Sequence, residues 1–281
     1  MPWMINSREV TNFTYDLGER NQAYLAAFVA VVCHRSVDEI ETYIYELSGD
    51  EALKTHVRSV VENTGTATGM DAEARFGRRL GWYAVVRATK PKVVVETGVD
   101  KGLGTCVIAA GFMRNADEGH PGKVYATDLN PSAGTLFRAP YDHRGKILYG
   151  DSIESLRSLV EPIDLFINDS DHSADYETRE YETVRGKLSP GAIVLGDNAH
   201  VTTKLFEFSR RTGREFLFFH EEPKDHWYPG GGSEDWPKPL RSGRSTRNLR
   251  ASCGTQANQT LLVSATPWTS KIVSGVVHGS V

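Results

Sequence analysis

Five acidic side chains stand where runs of apolar residues stop: Glu96 after VVV, Asp128 after VYAT, Asp151 after ILYG, Asp169 after LFIN and Asp197 after IVLG. Glu96 directly precedes a glycine-rich turn and suits a ligand that carries an ammonium group. Asp128 can accept hydrogen bonds from both hydroxyls of a ribose. Asp169, Asp197 and the neighbouring Asn198 offer three oxygen donors, which adjacent parallel strands would bring to one point. Hard oxygen donors suit Mg²⁺ or Ca²⁺ rather than zinc. His172, three residues past Asp169, is the candidate general base, because an imidazole accepts a proton near neutral pH once a cation has acidified a hydroxyl. His200, two residues past Asn198, is the alternative base.

The turn after Glu96 spaces its glycines as G-x-x-x-G-x-G, at Gly98, Gly102 and Gly104. A dinucleotide site reads G-x-G-x-x-G with its acid roughly twenty residues on, and Asp128 lies beyond that distance, so NAD is not expected. A strand, a glycine turn and a helix N-terminus still make a nucleotide pocket, since the backbone comes close and its unpaired N–H groups point at the ligand. S-adenosylmethionine carries both an ammonium group and a ribose. The stretch E-T-G-x-x-x-G, followed by a strand that ends in Asp, resembles the cofactor motifs of class I S-adenosylmethionine-dependent methyltransferases.

That resemblance implies cofactor contacts along the motif, from Glu96, Thr97 and Gly98 through Gly102, Gly104 and Thr105, with Asp128 on the ribose. It also implies that Asp151 and Ser152, in YGDSIESL, meet the adenine edge, where a carboxylate accepts the exocyclic amine and a hydroxyl donates; Asp151 also suits the N-cap of the following helix. Asp169 is expected at the same pocket. An Asp after the fourth strand with Asp-Asn after the fifth resembles the divalent-metal set of catechol-type and caffeoyl-coenzyme-A-type O-methyltransferases. The D-x-D-H form of residues 169–172 is similar to sugar O-methyltransferases of macrolide pathways. Catechol-type enzymes place a lysine after this motif; the nearest downstream one here, Lys187, is too far along, which favours His172 and argues against a catechol.

Elements must position these residues, and their pattern is regular from Lys92 to Ala265. Strands are expected at 92–96, 123–128, 146–150, 163–168, 192–196, 215–220 and 260–264, with helices between most of them, as in an α/β doubly wound, Rossmann-like sheet. The last two strands are joined by a loop-rich insert, residues 221–259, instead of a helix. That suits an antiparallel final hairpin and a seven-stranded order 3-2-1-4-5-7-6. The insert carries His226, Trp227, Tyr228 and Trp236 and is expected to cover the substrate. Residues 266–281 form a tail.

Residues 1–91 read as a helical extension. Ser36 with Glu39 forms a capping-box pattern, Gly49 stops that helix, Asp50 caps the next, and the stretch Arg75 to Lys90 carries one apolar stripe before Pro91. The helices could cover an edge of the sheet, roof the substrate side or join two copies of the chain. A chain of 281 residues, 40% hydrophobic and with a formal charge of −4, can bury one large core and gives no electrostatic case for nucleic acid. Its three cysteines lack metal spacing, and its longest apolar run, near Tyr24 to Val32, is too short to span a membrane, so a reduced, cytoplasmic protein is expected. The reading that joins these features is O-methyl transfer from S-adenosylmethionine to a small-molecule hydroxyl, aided by a divalent cation and a histidine. A metal-independent N-methyltransferase and a non-catalytic cofactor-binding protein are the alternatives.

Overall fold

The computed structural model describes residues 15–64, 72–197, 202–222 and 224, and the backbone of 260–265. Four helices precede the sheet: α1 (Glu19–Cys33), α2 (Val37–Ser48), α3 (Glu51–Asn63) and α4 (Arg79–Thr89). Then follow β1 (Val93–Thr97), α5 (Leu103–Asp117), β2 (Lys123–Asp128), β3 (Gly145–Tyr149), α6 (Ser152–Ser158), β4 (Ile163–Asn168) and α7 (Ala174–Arg185). The chain continues through β5 (Leu188–Gly196), α8 (Lys204–Thr212), β6 (Glu215–His220) and β7 (Thr260–Ala265). One seven-stranded sheet has the order β3-β2-β1-β4-β5-β7-β6. β7 is antiparallel to both of its neighbours, and the other pairings are parallel.

The unbroken apolar runs of the central strands follow from cover on both faces. In β1, Val94 enters one core while Val93 and Val95 enter the other; in β4, Leu165 and Ile167 oppose Phe166 in the same alternation. The first core is built with α1 to α5, and the second with α6, α7 and α8. The N-terminal helices therefore cover one whole face of the sheet beside α5. Within them, α4 is buried from Leu80 to Ala88 on every side, as a helix apolar all round must be.

Local signals hold in most places. The Ser36 hydroxyl accepts from Glu39 N at 3.2 Å and the Asp50 carboxylate from Leu53 N at 2.9 Å, so both expected caps form. The Glu39 side chain turns to the Tyr43 hydroxyl, so only half of the capping box is made. The helix expected from Arg75 starts at Arg79. Gly77 lies in the left-handed region at φ +47°, and Tyr15 packs where a Cβ there would stand, 2.7 Å away. β5 begins at Leu188 rather than 192, continuing through Ser189-Pro190-Gly191 with an irregular register against β4. The chain before α1 is fastened to the end of β6: Tyr15 donates to Glu221, Asn21 Nδ2 donates to His220 O, and Arg20 pairs with Glu222. Most of the 221–259 insert and the tail 266–281 lie outside the described residues.

Candidate active site

A cavity of about 630 Å³ opens beyond the carboxyl ends of the central strands, at the point where the strand order reverses between β1 and β4. Glu96, Gly98, Gly104, Asp128, Asp151, Ser152, Asp169, His172 and Asp197 all line it, together with Arg78, Arg79 and Tyr176, whose part in it the sequence reading had missed.

The glycine turn does what its spacing implies at two positions. Gly98 has φ +87°, and a Cβ on it would stand 1.9 Å from the Asp169 carbonyl oxygen, so the ends of β1 and β4 meet backbone to backbone. Gly104 leaves room for the Glu96 carboxyl, since a Cβ there would lie 2.3 Å from Oε1. Glu96 is 1% exposed and accepts from the Thr105 hydroxyl at 2.6 Å. Burial outweighs that hydrogen bond and raises its pKa to about 8. Glu96 is thus poised for a cationic partner that would draw off its proton.

Asp128 closes β2 at the cavity edge, and its carboxylate is already partly engaged. Oδ2 accepts from Val99 N at 3.0 Å and Asp100 N at 2.9 Å, and Oδ1 accepts from Asn130 N at 2.8 Å. A carboxylate has about four acceptor sites, so one remains for a ligand hydroxyl while the others shape the loop. Asp151 caps α6 through Ile153 N at 2.7 Å and still faces the cavity, so its two expected roles coexist.

Four residues expected at the cofactor are engaged by other parts of the chain. Gly102, with φ +95°, caps α5 and does not line the cavity. Thr105 donates its hydroxyl to Glu96 and so holds that acid. Thr97 turns to the other side of the sheet, where its hydroxyl donates to Glu180 at 3.4 Å. The Ser152 hydroxyl also donates to Glu180, so it is not the free donor expected for an adenine edge. Glu180, on α7, receives Asn168 and Ser170 as well, tying together β1, β4, α6 and α7.

The expected cation ligands are met only in part. Asp169 and Asp197 do converge, but around Arg78: its Nε lies 2.6 Å from Asp197 Oδ1 and its NH2 nitrogen 3.5 Å from Asp169 Oδ2. Burial works against the Arg78 charge, and Asp197 followed by Asp169 outweighs it, leaving its pKa well raised. Burial likewise pushes the Asp197 carboxyl up, against the pull of Arg78. Arg78 thus pairs with both carboxylates. The residues here do not fit a divalent ion, and among the described residues no cluster of three or more His, Cys, Asp or Glu could hold a metal. Asn198 and His200 lie outside the described residues.

His172 lines the cavity, on the loop that leaves β4. Lys187 is at the far end of the sheet, just before β5, where its Nζ donates to Arg157 O at 2.9 Å. Its distance from the site agrees with the sequence reading.

Residues 95–199 match the family model described as a methyltransferase domain. The match spans β1 to the end of β5, which carries nearly all of the cavity, and the sheet order is the one expected for class I. This segment is similar to a methyltransferase domain. No curated protein matches the sequence. Among solved structures, this chain is similar to the Bacillus cereus O-methyltransferase in complex with SAH, at 13% identity and a TM-score of 0.49, over 76% of this chain and 91% of that one. It is also similar to SAH-bound PaMTH1 of Podospora anserina, at 16% and 0.49 over 82% and 95%, and to the O-methyltransferase TomG of Streptomyces achromogenes with SAM, at 14% and 0.47 over 81% and 96%. No helix among the described residues is long and apolar enough to cross a membrane.

Proposed function

We propose that this methyltransferase moves a methyl group from S-adenosylmethionine to a hydroxyl of a small molecule, with His172 as the proton acceptor and no divalent cation. One observation carries the reading: a single small-molecule-sized cavity is lined by Glu96, Asp128 and Asp151 on its β1–β3 side and by Asp169 and His172 where β4 ends. The first group supplies partners for an ammonium, a ribose hydroxyl and an adenine amine. The second lies where an acceptor would enter.

S-adenosylmethionine, when bound, supplies an electrophilic methyl group on a sulfonium sulfur. The chain's own part is to hold and to deprotonate. Asp128 keeps the Val99–Asp100 backbone in place and offers its remaining acceptor site to the ribose. His172 takes the hydroxyl proton as the acceptor oxygen attacks, a contribution worth on the order of 10²–10⁴ in rate. Arg78 keeps a positive charge fixed beside Asp169, so that an oxygen gaining negative charge does not face two bare carboxylates.

Incubation with methyl-labelled S-adenosylmethionine and a panel of hydroxylated and aminated small molecules, read by mass spectrometry, tests the reaction class. Label on oxygen is expected. Label on nitrogen alone would replace it with N-methyl transfer.

A further inference from the structure

Asp169 and Asp197 end β4 and β5, and the group that stands between them is the guanidinium of Arg78. Its Nε lies 2.6 Å from Asp197 Oδ1 and its NH2 nitrogen 3.5 Å from Asp169 Oδ2. Arg78 lies outside residues 95–199, the segment that the family model matches. Its place is built by the N-terminal part of the chain. Gly77, just before it, turns through φ +47°, Tyr15 packs against that turn, and the Tyr15 hydroxyl donates to Glu221 just past β6.

Two carboxylates at the ends of adjacent strands, closed around one fixed cation, are what a cation-assisted transfer to a hydroxyl requires, and here the cation is a side chain. A guanidinium keeps its charge across the whole working pH range and offers five N–H donors in one plane. Clamped by two acids, it is oriented before any acceptor arrives, so its charge needs no reorganisation at the moment of reaction. Arg78 lines the cavity, as do Asp169 and His172. The cation and the proton acceptor therefore face one space from two elements, the start of α4 and the loop after β4.

We propose that Arg78 is a catalytic residue that takes the part of the divalent cation: one of its N–H groups donates to the acceptor's hydroxyl oxygen and stabilises the negative charge that grows there. This rests on O-methyl transfer from S-adenosylmethionine and goes beyond a screening of Asp169, because the guanidinium touches the reacting oxygen. In that step the hydroxyl proton passes to His172 and an oxygen lone pair forms the new bond to the methyl carbon. The carbon–sulfur bond breaks with its electron pair left on sulfur. Arg78 neither gains nor loses a proton.

A metal titration and a variant series, both on the full chain, test this. Electron paramagnetic resonance of Mn²⁺ added to the wild type is expected to show no stoichiometric site; a bound ion that Asp197→Asn removes would give the cation's place to a metal and overturn the proposal. With an acceptor found by the labelled panel, Arg78→Ala should lower kcat by about 10²–10³ and leave S-adenosylhomocysteine affinity unchanged. Guanidinium chloride below denaturing concentrations should restore part of that loss. Arg78→Lys, which keeps the charge but not the planar donors, should fall between. S-adenosylhomocysteine binding also reports folding, and if Arg78→Ala does not bind it, Arg78→Lys carries the comparison. Unchanged kcat, an affinity loss as large as the loss of kcat, or a defect that guanidinium does not relieve would each overturn the proposal. A wild type that moves label to no hydroxyl would instead sink the O-methyl reading on which the proposal stands, whatever the Mn²⁺ result.

Discussion

Arg78 Nε and Asp197 Oδ1 lie 2.6 Å apart with side chains 7% and 0% exposed. Breaking such a buried pair from one side leaves an uncompensated charge, at a cost of about 3–5 kcal/mol. Arg78→Met should therefore destabilise the chain by that amount in urea unfolding, and Arg78→Met with Asp197→Leu should recover a large part of it. A loss below about 1 kcal/mol would mean that the pair behaves as a surface contact.

Glu96 links the site to pH. Its folded pKa of about 8 lies above the ordinary carboxyl value, so its neutral form carries a stability that is complete below about pH 4.5 and is lost as pH rises through 8. The ligand-free melting temperature of the wild type should fall across that window relative to Glu96→Gln, which cannot ionise; comparing the two removes the similar contribution of Glu221, raised by burial to about 7. Because an ammonium ligand needs the charged acid, S-adenosylhomocysteine affinity should rise over the same range in the wild type only. Parallel pH curves for the two proteins would remove Glu96 from ligand binding.

Asp128→Ala removes three backbone contacts and the remaining acceptor site together. S-adenosylhomocysteine should bind about ten- to a hundredfold more weakly, on the order of 1.5–3 kcal/mol. Unchanged affinity would show that Asp128 only shapes the loop.

Much of this was legible because burial leaves a pattern. The apolar runs of β1, β4 and β5, each ended by an acid, announced both the sheet and the rim of the cavity. The partners of Thr97, Thr105 and Ser152 were not legible because the sequence does not say to which side of a strand end or helix start a hydroxyl turns; here Glu180 and Glu96 receive all three. Arg78 and Arg79 were missed because adjacent arginines at a helix start usually face solvent. The available signal was α4 itself: a helix with apolar residues on every side has no exposed face to which its first arginine could turn. Arg78 is the group found between Asp169 and Asp197, the carboxylate pair that the motifs bring together.

His172→Ala should lower kcat by about 10²–10⁴ while S-adenosylhomocysteine binds as before, and the limb of the pH–rate profile that reports the base should vanish. If His172→Ala keeps the wild-type profile and His200→Ala loses the limb, the base belongs after β5.

The most direct measurement is calorimetric titration of the chain with S-adenosylmethionine, S-adenosylhomocysteine and NAD, each with and without excess EDTA, followed by turnover of a methylated hydroxyl product under the same two conditions. One site for the first two ligands, none for NAD, and turnover indifferent to EDTA are the predicted results. A site for NAD, no binding of S-adenosylmethionine, or turnover abolished by EDTA and restored by Mg²⁺ would contradict the account.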